Sequence, residues 1–417
     1  MKRLFKLTGL VALLMGSAAN AETLKLVEVI TSPERTEVLQ GLVDGYKAAN
    51  PGIEVEIVSV PWGQAFETVA TMVAGGDIPD VIEMPDTWQA LYADQLMPLD
   101  DRIASWEYGS TLTQKTIDMG KLANGKMTEI PYGFYLRAMF YNKKLLAEAG
   151  VAEPPKTMDE FMAAMEAVSK LDGKYGYCLR GGPGGTNGWI MMAAVMNGTN
   201  EFFTADGKSR INEPGSVAGL QFLMDIYQKG YAPKDSVNWG FNEIVAGFYS
   251  GTCAFLDQDP DALIAVAERM APEDFAVIPM PVGPAGKAFP TIGYAGWSVF
   301  NSTANPDAAW NLVAYLSSPE SNATWSKRVG VIPIHQGADQ DPYYQTEQFK
   351  GWFEELNSDS YIPTIMPTYL EQWGYFTSTI LKDSAQEALL GQKTAQELGD
   401  EWASFLTGEY AAWKAKQ

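Results

Sequence analysis

Residues able to bind a polyhydroxyl ligand are spread along this chain, and most follow the end of a predicted strand. Asp, Asn, Gln and Arg side chains supply fixed donors and acceptors for hydroxyl groups, and Trp and Tyr rings cover the apolar face of a sugar ring. The residues with this mixture, expected in loops, are Trp62, Gln64, Asp86, Trp88, Tyr135, Arg137, Asn187, Trp189, Trp297 and Trp373. Core packing explains any single tryptophan equally well, so the prediction depends on the set as a whole.

Catalytic chemistry has few residues to use in this sequence. The chain has one histidine, His335, and no serine lies in a Gly-x-Ser-x-Gly elbow. One histidine and two distant cysteines do not make the usual zinc sites. Carboxylate pairs for glycoside hydrolysis stay open, because 51 acidic residues offer many pairs whose separation depends on the fold. A secreted glycoside hydrolase or lyase is therefore the alternative function.

Two further motifs indicate a bound group only weakly. The segment Gly181–Gly185 is rich in glycine but lacks the Lys-Ser/Thr of a phosphate-binding loop. Asp257, Asp259 and Asp261 alternate as in a calcium loop, but the central glycine and the terminal glutamate are missing. We predict no metal and no cofactor.

The N-terminus predicts export from the cytoplasm. Lys2, Arg3 and Lys6 precede a short apolar run, and Ala19-Asn20-Ala21 has the small-x-small pattern for cleavage after Ala21. No later stretch reaches the roughly 18 apolar residues of a membrane span. We expect a periplasmic protein whose mature chain does not insert into a membrane.

The charge of the chain excludes polyanionic partners. The formal net charge is −21, and loss of the three basic residues of the signal segment would take it to −24. A protein this acidic repels nucleic acid and anionic lipid headgroups. We therefore expect no nucleic-acid binding.

Strands and helices alternate over the first hundred residues, and the length of 417 residues favours two domains. The predicted elements cover residues 24–30, 33–46, 53–57, 66–73 and 80–84. Ser32 suits the N-cap of the first helix, and Pro33 suits its first position. A β-α-β-α-β order implies a parallel sheet with ligands at the carboxyl ends of its strands. The loops at those ends are Thr31-Ser32, 61–64 and 85–88.

The remaining chain predicts further alternation. A strand is expected over 137–141 and another from 289, with helices over 143–149, 158–169, 189–196, 217–229 and 307–316. Cys178 and Cys253 lie in strand-like segments, and an oxidising compartment would allow them to pair. Because two cysteines lack the pattern of a disulfide framework, we favour two buried free thiols.

Five short motifs, in order along the chain, carry a family resemblance. They are Gly75–Val81, Tyr141–Leu146 followed by Gly150-Val151 and Pro154–Phe161, Phe248–Phe255, Gly293–Trp297, and Asn305–Trp310 with Leu316–Glu320. The chain is identified by them as a member of the family 1 extracellular solute-binding proteins of ABC carbohydrate importers, the group that includes maltose-binding protein. The resemblance covers nearly the whole mature chain.

The resemblance implies an α/β, two-lobed periplasmic-binding-protein fold (type II-like). Each lobe would be a mostly parallel sheet flanked by helices, and hinge strands would join the two. The N-terminal lobe would comprise residues 22–133 and 290–335, and the C-terminal lobe residues 134–289 and 336–417. By the same resemblance, ligand contacts fall at Thr31, Ser32, the Met84–Trp88 segment, Trp189 and Trp373. Tyr135 stands where the family has a carboxylate, and Asp259 stands near its third cleft aromatic.

The resemblance also implies a mechanism and partners. A monomer would capture a carbohydrate by hinge closure and deliver it to the transmembrane subunits of an ABC permease. A receptor that serves a sensor instead of a permease would share this fold. Arg137 could pair with an anionic sugar, since guanidinium forms a planar two-donor fork. An ion pair with neighbouring acidic residues is the explanation we favour for Arg137.

Overall fold

The computed structural model describes residues 22–416, and the predicted signal segment with its cleavage site lies outside the described residues. The described chain forms two sheets with helices packed around them. This arrangement confirms the predicted α/β class. No helix in the described range is long and apolar enough to cross a membrane.

Within residues 22–416, ten strands make the two sheets. They are β1 (Glu22–Glu28), β2 (Ile53–Ser59), β3 (Val81–Pro85), β4 (Ile130–Leu136), β5 (Ala138–Asn142), β6 (Tyr175–Tyr177), β7 (Cys253–Gln258), β8 (Phe275–Ile278), β9 (Thr291–Val299) and β10 (Thr364–Ile365). The first sheet has the order β10-β9-β3-β1-β2, with β4 also paired to β9. The second sheet has the order β6-β7-β5-β8.

The α-helices that cover these sheets come from all parts of the described chain. They are α1 (Pro33–Ala49), α2 (Trp62–Ala74), α3 (Asp86–Tyr92), α4 (Asp100–Ser105), α5 (Gln114–Gly120), α6 (Lys143–Glu148), α7 (Met158–Val168), α8 (Thr186–Asn197), α9 (Pro214–Gln228), α10 (Phe241–Tyr249), α11 (Asp261–Ala267), α12 (Pro306–Leu316), α13 (Pro319–Val329), α14 (Lys350–Leu356), α15 (Trp373–Tyr375), α16 (Lys382–Leu389) and α17 (Ala395–Lys414). A π-helical segment, Phe376–Leu381, connects α15 to α16.

The predicted β-α-β-α-β unit is confirmed in the first sheet. β1 pairs in parallel with both β2 and β3, and α1 and α2 provide the connections. Ser32 caps α1 as predicted, because its hydroxyl accepts the N–H of Arg35 at 3.2 Å. Leu39 and Val43, one helical turn apart, are fully buried under this helix.

The prediction that loops follow β2 and β3 is wrong. Trp62 and Asp86 are the first residues of α2 and α3, so Gln64 and Trp88 lie in first helical turns. A proline stands immediately before each helix in an extended N-cap conformation, so helical geometry starts at the very next residue. The candidate binding residues that follow β2 and β3 are therefore positioned by the first turns of α2 and α3.

The second sheet is mixed, so the expectation of a mostly parallel sheet is wrong for this lobe. β5 runs antiparallel to both β7 and β8, and only β6 and β7 are parallel. The reason is that β5 continues directly from β4 of the first sheet, with Arg137 alone between them. A strand that enters without a crossover helix has no requirement to run parallel to its neighbours.

The chain passes between the sheets at β4–β5 and again before β9. β9 pairs antiparallel with β3 on one side and with β4 on the other. The N–H of Arg137 donates to the carbonyl of Thr291 at 3.0 Å, which ties the two passing segments together. β10 pairs with the first two residues of β9 and lies at the same junction.

Cys178 and Cys253 form a disulfide, so the favoured prediction of free thiols is wrong. β6 and β7 are parallel neighbours, and the N–H of Cys178 donates to the carbonyl of Phe255. This pairing brings two residues separated by 75 positions to a Cα–Cα distance of 5.4 Å. Sequence spacing alone does not reveal such a neighbourhood. Both cysteines are fully buried.

We expect the Cys178→Ala/Cys253→Ala variant to lose about 4 kcal/mol of unfolding free energy, because the bond closes a long loop in the unfolded chain. Urea unfolding of the mature protein, followed by tryptophan fluorescence, measures this difference. Reduction of the parent protein should reproduce most of the loss. Equal stability of the variant and the oxidised parent would contradict a disulfide with this role.

Candidate functional site

The junction of the two sheets collects polar side chains from both lobes. Tyr135 of β4 lies opposite Gly293 of β9 in the ladder, so no side chain stands directly across from the Tyr135 ring. Arg137 follows two residues later, at the point where the chain enters the second sheet. These residues lie where the chain passes from the first sheet to the second.

Arg137 is the buried cation at the centre of the second-lobe side. Only 3% of its surface is exposed, and its Nε lies 2.7 Å from Oδ1 of Asp259. Its Nη1 donates to the carbonyl of Asp257 at 2.9 Å and lies 3.6 Å from Oδ2 of the same residue. Burial alone would lower the pKa of Arg137, but Asp259 and Asp257 outweigh it and raise the pKa. The ion pair that we favoured from sequence is the arrangement found here.

Glu83 organises the first-lobe side. Its Oε1 accepts from Nη2 of Arg35 at 3.0 Å and from the hydroxyl of Tyr132 at 2.7 Å. Its Oε2 accepts the backbone N–H groups of Val29 and Ile30, the two residues after β1. A buried carboxylate with four donors is fully satisfied, so this network is a rigid support.

Tyr135 connects this support to the middle of the junction. Its hydroxyl lies 2.9 Å from the hydroxyl of Tyr132. Burial raises the pKa of Tyr135 to about 12, so the phenol keeps its proton. It donates that proton to Tyr132, because the Tyr132 hydroxyl donates its own to Glu83. The position where the family resemblance expects a carboxylate thus carries a neutral hydroxyl group.

Two carboxyl groups lie near each other on the first-lobe side. Asp86 begins α3, and its Oδ2 would be 3.2 Å from a Cβ placed on Gly293, so glycine leaves room for it. Burial raises the pKa of Asp86 to about 7, although the backbone N–H groups of Tyr294 and Thr87 oppose the shift. Glu129 is fully buried, and neither of its oxygens has a hydrogen-bond partner. Burial, and then the charge of Asp86, raises the pKa of Glu129 well above its ordinary value.

Asp261 begins α11 and faces the junction from the second lobe. Burial and then Asp259 raise its pKa to about 7, against the opposing charges of three arginines, Arg137, Arg35 and Arg180. The lobes touch here. Gly330 has a φ of +72°, and a Cβ there would lie 2.4 Å from the carbonyl oxygen of Pro260.

A cavity of about 370 Å³ opens beside Asp86. Its first-lobe wall includes Asp86, Gln89 and Ala90, the inner face of α3. The residues on the opposite side are Glu201, Phe202, Phe203, Ile365, Met366, Pro367, Thr368, Tyr369 and Tyr410. Small-molecule sites have roughly this size and this mixture of aromatic and polar lining.

An exposed aromatic group stands at the carboxyl edge of the first sheet. Trp62 is 51% exposed, and its ring lies parallel to that of Trp88 at a centroid distance of 5.5 Å. Phe66, 45% exposed, is tilted against Trp88 at the same distance. The outer face of Trp62 is therefore free to stack on a ligand ring.

The other predicted tryptophans are packed in the interior. Trp297 is 1% exposed and lies against Tyr132 and Trp325, while Trp189 is 1% exposed and meets Trp402 edge to face. Trp373 is buried against Phe202, although its short helix α15 packs against α3 of the other lobe. The structure places these three rings in cores because large apolar rings there exclude water from both lobes.

The remaining predicted residues are dispersed. Thr31 and Ser32 form the turn between β1 and α1, where Ser32 serves as the helix cap. Gln64 is exposed on α2, and α8 begins three residues before the predicted start at Trp189, so Asn187 is helical instead of part of the preceding loop. Asp259 does lie in a short loop, between β7 and α11.

Sequence analysis missed several residues of the junction. They are Arg35, Glu83, Glu129, Tyr132, Arg180, Asp257 and Asp261. The signal was a charged residue inside an otherwise apolar strand, as with Glu83 in the middle of β3. The segment with alternating aspartates, read as a fragment of a calcium loop, supplies the carboxylates around Arg137. Within residues 22–416 no group of three or more His, Cys, Asp or Glu could hold a metal ion.

We expect Asp86→Asn to stabilise the protein increasingly as pH rises from 4 to 8. The folded-state pKa of about 7 lies above the ordinary 3.8, so the folded protein binds the extra proton in this window. The unfolding free energy of the parent protein therefore falls as pH rises through about 7. The asparagine variant does not show this fall, which is on the order of 2–4 kcal/mol. Urea unfolding at both pH values measures it, with exposed Asp44→Asn as the control. A pH-independent difference would contradict this origin.

Known proteins resemble this chain in sequence or in structure. A binding protein of Brucella abortus is 23% identical over 390 residues, covering 93% of each chain. The maltotriose-binding protein of Pyrococcus abyssi is 25% identical over 356 residues, covering 82% of this chain and 73% of its own. The maltose-bound structure of T. maritima MalE3 superposes with a TM-score of 0.82 at 23% identity, covering 93% of this chain and 99% of its own, which shows the same two-lobed fold.

Residues 32–323, more than half of the chain, match the profile of one family. That family consists of binding proteins and not of enzymes. The chain belongs to the bacterial extracellular solute-binding proteins.

Proposed function

We propose that this protein is the periplasmic substrate-binding subunit of an ABC transporter and that it captures a carbohydrate between its lobes. The observation that carries the proposal is the junction itself, where Tyr135 lies near Tyr132, Arg35 and Glu83 on one side and near Asp261 on the other. Beside it lies a cavity large enough for a small ligand. The maltotriose-binding relative and the maltose-bound structural neighbour support a sugar as the ligand.

The chemistry of the site suits hydroxyl groups. Asp86 and Asp261 are acceptors, the hydroxyl of Tyr135 keeps a lone pair that can accept from a ligand hydroxyl, and the exposed ring of Trp62 offers an apolar stacking face. A sugar presents both hydroxyls and an apolar ring face, so it would use both kinds of group.

Capture would proceed by closure of two lobes. We assign residues 22–133 and 290–335 to the first and residues 134–289 and 336–417 to the second, with β4–β5 and the start of β9 as hinge strands. The sheet order supports the main part of this division, since β1–β3 and β9 share one sheet and β5–β8 form the other. β4 crosses the boundary at residue 133, and β10 extends the edge of the first sheet from the chain range of the second lobe. Hinge closure is the known behaviour of periplasmic binding proteins, and a ligand that contacts both lobes favours the closed state.

The proposal includes export of the chain and docking on a membrane permease. Residues 1–21 would direct export and be cut after Ala21, and the loaded monomer would dock on the transmembrane subunits of a permease. The membership in an extracellular solute-binding family supports this place of action. A hydrolase has no such support, because the family holds binding proteins.

The test is a thermal-shift screen of residues 22–417 against mono-, di- and oligosaccharides and polyols. A ligand at a hundred times its Kd that binds only the folded state adds about 2.7 kcal/mol, which is a shift of several degrees. We expect one sugar class to shift the melting temperature and to be recovered unchanged. A sugar recovered cleaved would overturn the proposal in favour of a hydrolase.

We expect Trp62→Ala to weaken binding of the identified sugar about tenfold, because an exposed stacking face worth about 1.4 kcal/mol is lost. Isothermal titration measures the Kd. The matched control is Leu390→Ala, since Leu390 is similarly exposed at 54% and lies at the end of α16 in the second lobe. Equal affinity of the two variants would remove Trp62 from the site.

A further inference from the structure

We propose that Arg180 binds a carboxylate group of the ligand, so that the captured carbohydrate is an acidic sugar such as a hexuronate. This inference rests on the proposed function, carbohydrate capture between the lobes, and it specifies the chemical class that the site accepts. The site is a recess of the second lobe between Arg180, Arg137 and the start of α8, here called the α8 recess. The inference moves to Arg180 the role that the sequence suggested for Arg137.

Arg180 keeps most of its hydrogen-bond donors unused. Its Nε donates to the carbonyl of Pro183 at 2.7 Å, and among the described residues no oxygen accepts from its Nη1 or Nη2. No carboxylate of residues 22–416 lies within 4.0 Å of this guanidinium, although Arg35 and Arg137 each have such a neighbour. Arg180 is partly exposed, and neither Nη nitrogen is sealed from solvent. A ligand can therefore reach these donors.

Arg137 lines the same recess and also has donors without an acceptor. It is 3% exposed, and its Nη1 donates to the carbonyl of Asp257 and to the side chain of Gln258. Its Nε lies beside Asp259 without the geometry of a hydrogen bond, and its Nη2 has no acceptor in the described part of the chain. Because a buried N–H without an acceptor is costly, the recess favours an occupant that brings oxygen atoms.

The two guanidinium groups repel each other, so the recess favours an anion over a neutral hydroxyl. Burial, and then the charge of Arg137, lower the pKa of Arg180 to about 10. Arg180 therefore stays charged at neutral pH, in a place where burial and a second cation both disfavour its charge. A hydroxyl group would supply only the missing hydrogen bond, whereas a carboxylate would also offset both charges.

The start of α8 adds backbone donors to the recess. Gly185 is the N-cap and no side chain caps the helix, so the N–H groups of the first turn have no partner within the helix. Gly185 and Gly188 line the recess together with the two arginines. Backbone N–H groups at the positive end of a 12-residue helix and a planar guanidinium fork both suit a carboxylate.

The glycine-rich segment Gly181–Gly185 holds the Arg180 side chain in position. Gly184 has a φ of +82°, and a Cβ there would lie 2.2 Å from Nη2 of Arg180. A Cβ on Gly185 would lie 2.2 Å from the carbonyl oxygen of Arg180. Glycine at these positions therefore lets the loop curve closely around the guanidinium. The motif that resembles a phosphate-binding loop without its lysine thus orients an arginine.

The aspartates near the recess are occupied elsewhere or able to hold a proton. Asp257 accepts from the hydroxyl of Tyr177, and Asp257 and Asp259 both contact Arg137. Burial, and then the charge of Asp259, raise the pKa of Asp261 to about 7. A carboxylate bound nearby would favour the protonated form of Asp261, which can donate a hydrogen bond to the ligand.

The α8 recess borders the junction between the sheets. The charges of Arg180 and of Arg35, which belongs to the first lobe, both lower the pKa of Asp261. The charge of Asp261 also acts on Tyr135 of β4. A sugar whose carboxylate is held at Arg180 would therefore direct its hydroxyl groups toward Asp261 and Tyr135.

Matched ligand pairs test the inference on residues 22–417. Isothermal titration is run with glucose and glucuronate, galactose and galacturonate, and mannose and mannuronate, with glucose 6-phosphate as a different oxyanion. We expect the acidic member of at least one pair to bind about tenfold more tightly than its uncharged parent.

Variants of Arg180 connect this preference to the recess. Arg180→Gln should weaken binding of the acidic sugar about a hundredfold and binding of its parent much less, since the charged fork is lost. Arg180→Lys, which keeps the charge without the fork, should fall between. The matched control is Arg269→Gln, because Arg269 is an exposed cation of the second lobe paired with Glu268. Melting temperatures establish that each variant is folded.

The outcomes separate the two proposals. An uncharged parent that binds as tightly as its acid in every pair overturns the inference and leaves carbohydrate capture in place. A folded Arg180→Gln protein that binds the acid normally, or that loses both members equally, also overturns it. Tighter binding of glucose 6-phosphate than of every uronate overturns the choice of a carboxylate. A wider panel of neutral and acidic sugars in which nothing binds contradicts carbohydrate capture itself.

Discussion

Burial of arginine side chains at the junction of two sheets is the constraint on which the rest of this structure depends. A guanidinium group removed from water requires carboxylates and carbonyls in fixed positions, since an unpaired buried charge is very costly. Arg35 takes Glu83 from β3, and Arg137 takes Asp257 and Asp259 from the end of β7. Each sheet therefore carries a buried, prearranged set of charged groups on its side of the junction.

The same constraint explains why the side chains of the junction are held in fixed positions. Glu83 is held by the backbone N–H groups after β1. The hydroxyl of Tyr132 in turn fixes the hydroxyl of Tyr135 by a hydrogen bond. A site whose groups are already hydrogen-bonded needs little reorganisation when a ligand arrives, so less free energy is lost on binding. A family that captures solutes by moving two lobes gains from such rigidity, because only the hinge has to change.

The disulfide belongs to this support. Cys178 stands two residues before Arg180, and Cys253 stands four residues before Asp257. The bond therefore connects β7, which carries Asp257, to the segment after β6, which carries Arg180. Because both cysteines are fully buried, the cross-link also packs as part of the interior of the second lobe.

The sequence by itself determined the alternating elements and the family. Strand and helix periodicity around Ser32 and the ordered motifs depend on contacts between near neighbours in the chain, so they are visible without a structure. It placed Tyr135, Arg137 and Asp86 among the candidates because of their residue types and their positions next to strand ends.

Only the tertiary structure decided which candidates meet. Trp189 and Trp297 were candidates and are core residues, whereas Glu83 and Asp261 were not candidates and belong to the junction. The type of a residue does not reveal whether it lies in the core or at the junction. The pairing of Cys178 with Cys253 and of Arg137 with Asp259 joins residues far apart in the chain. The physical reason is that burial and charge pairing are properties of neighbourhoods in space, which a linear pattern does not contain.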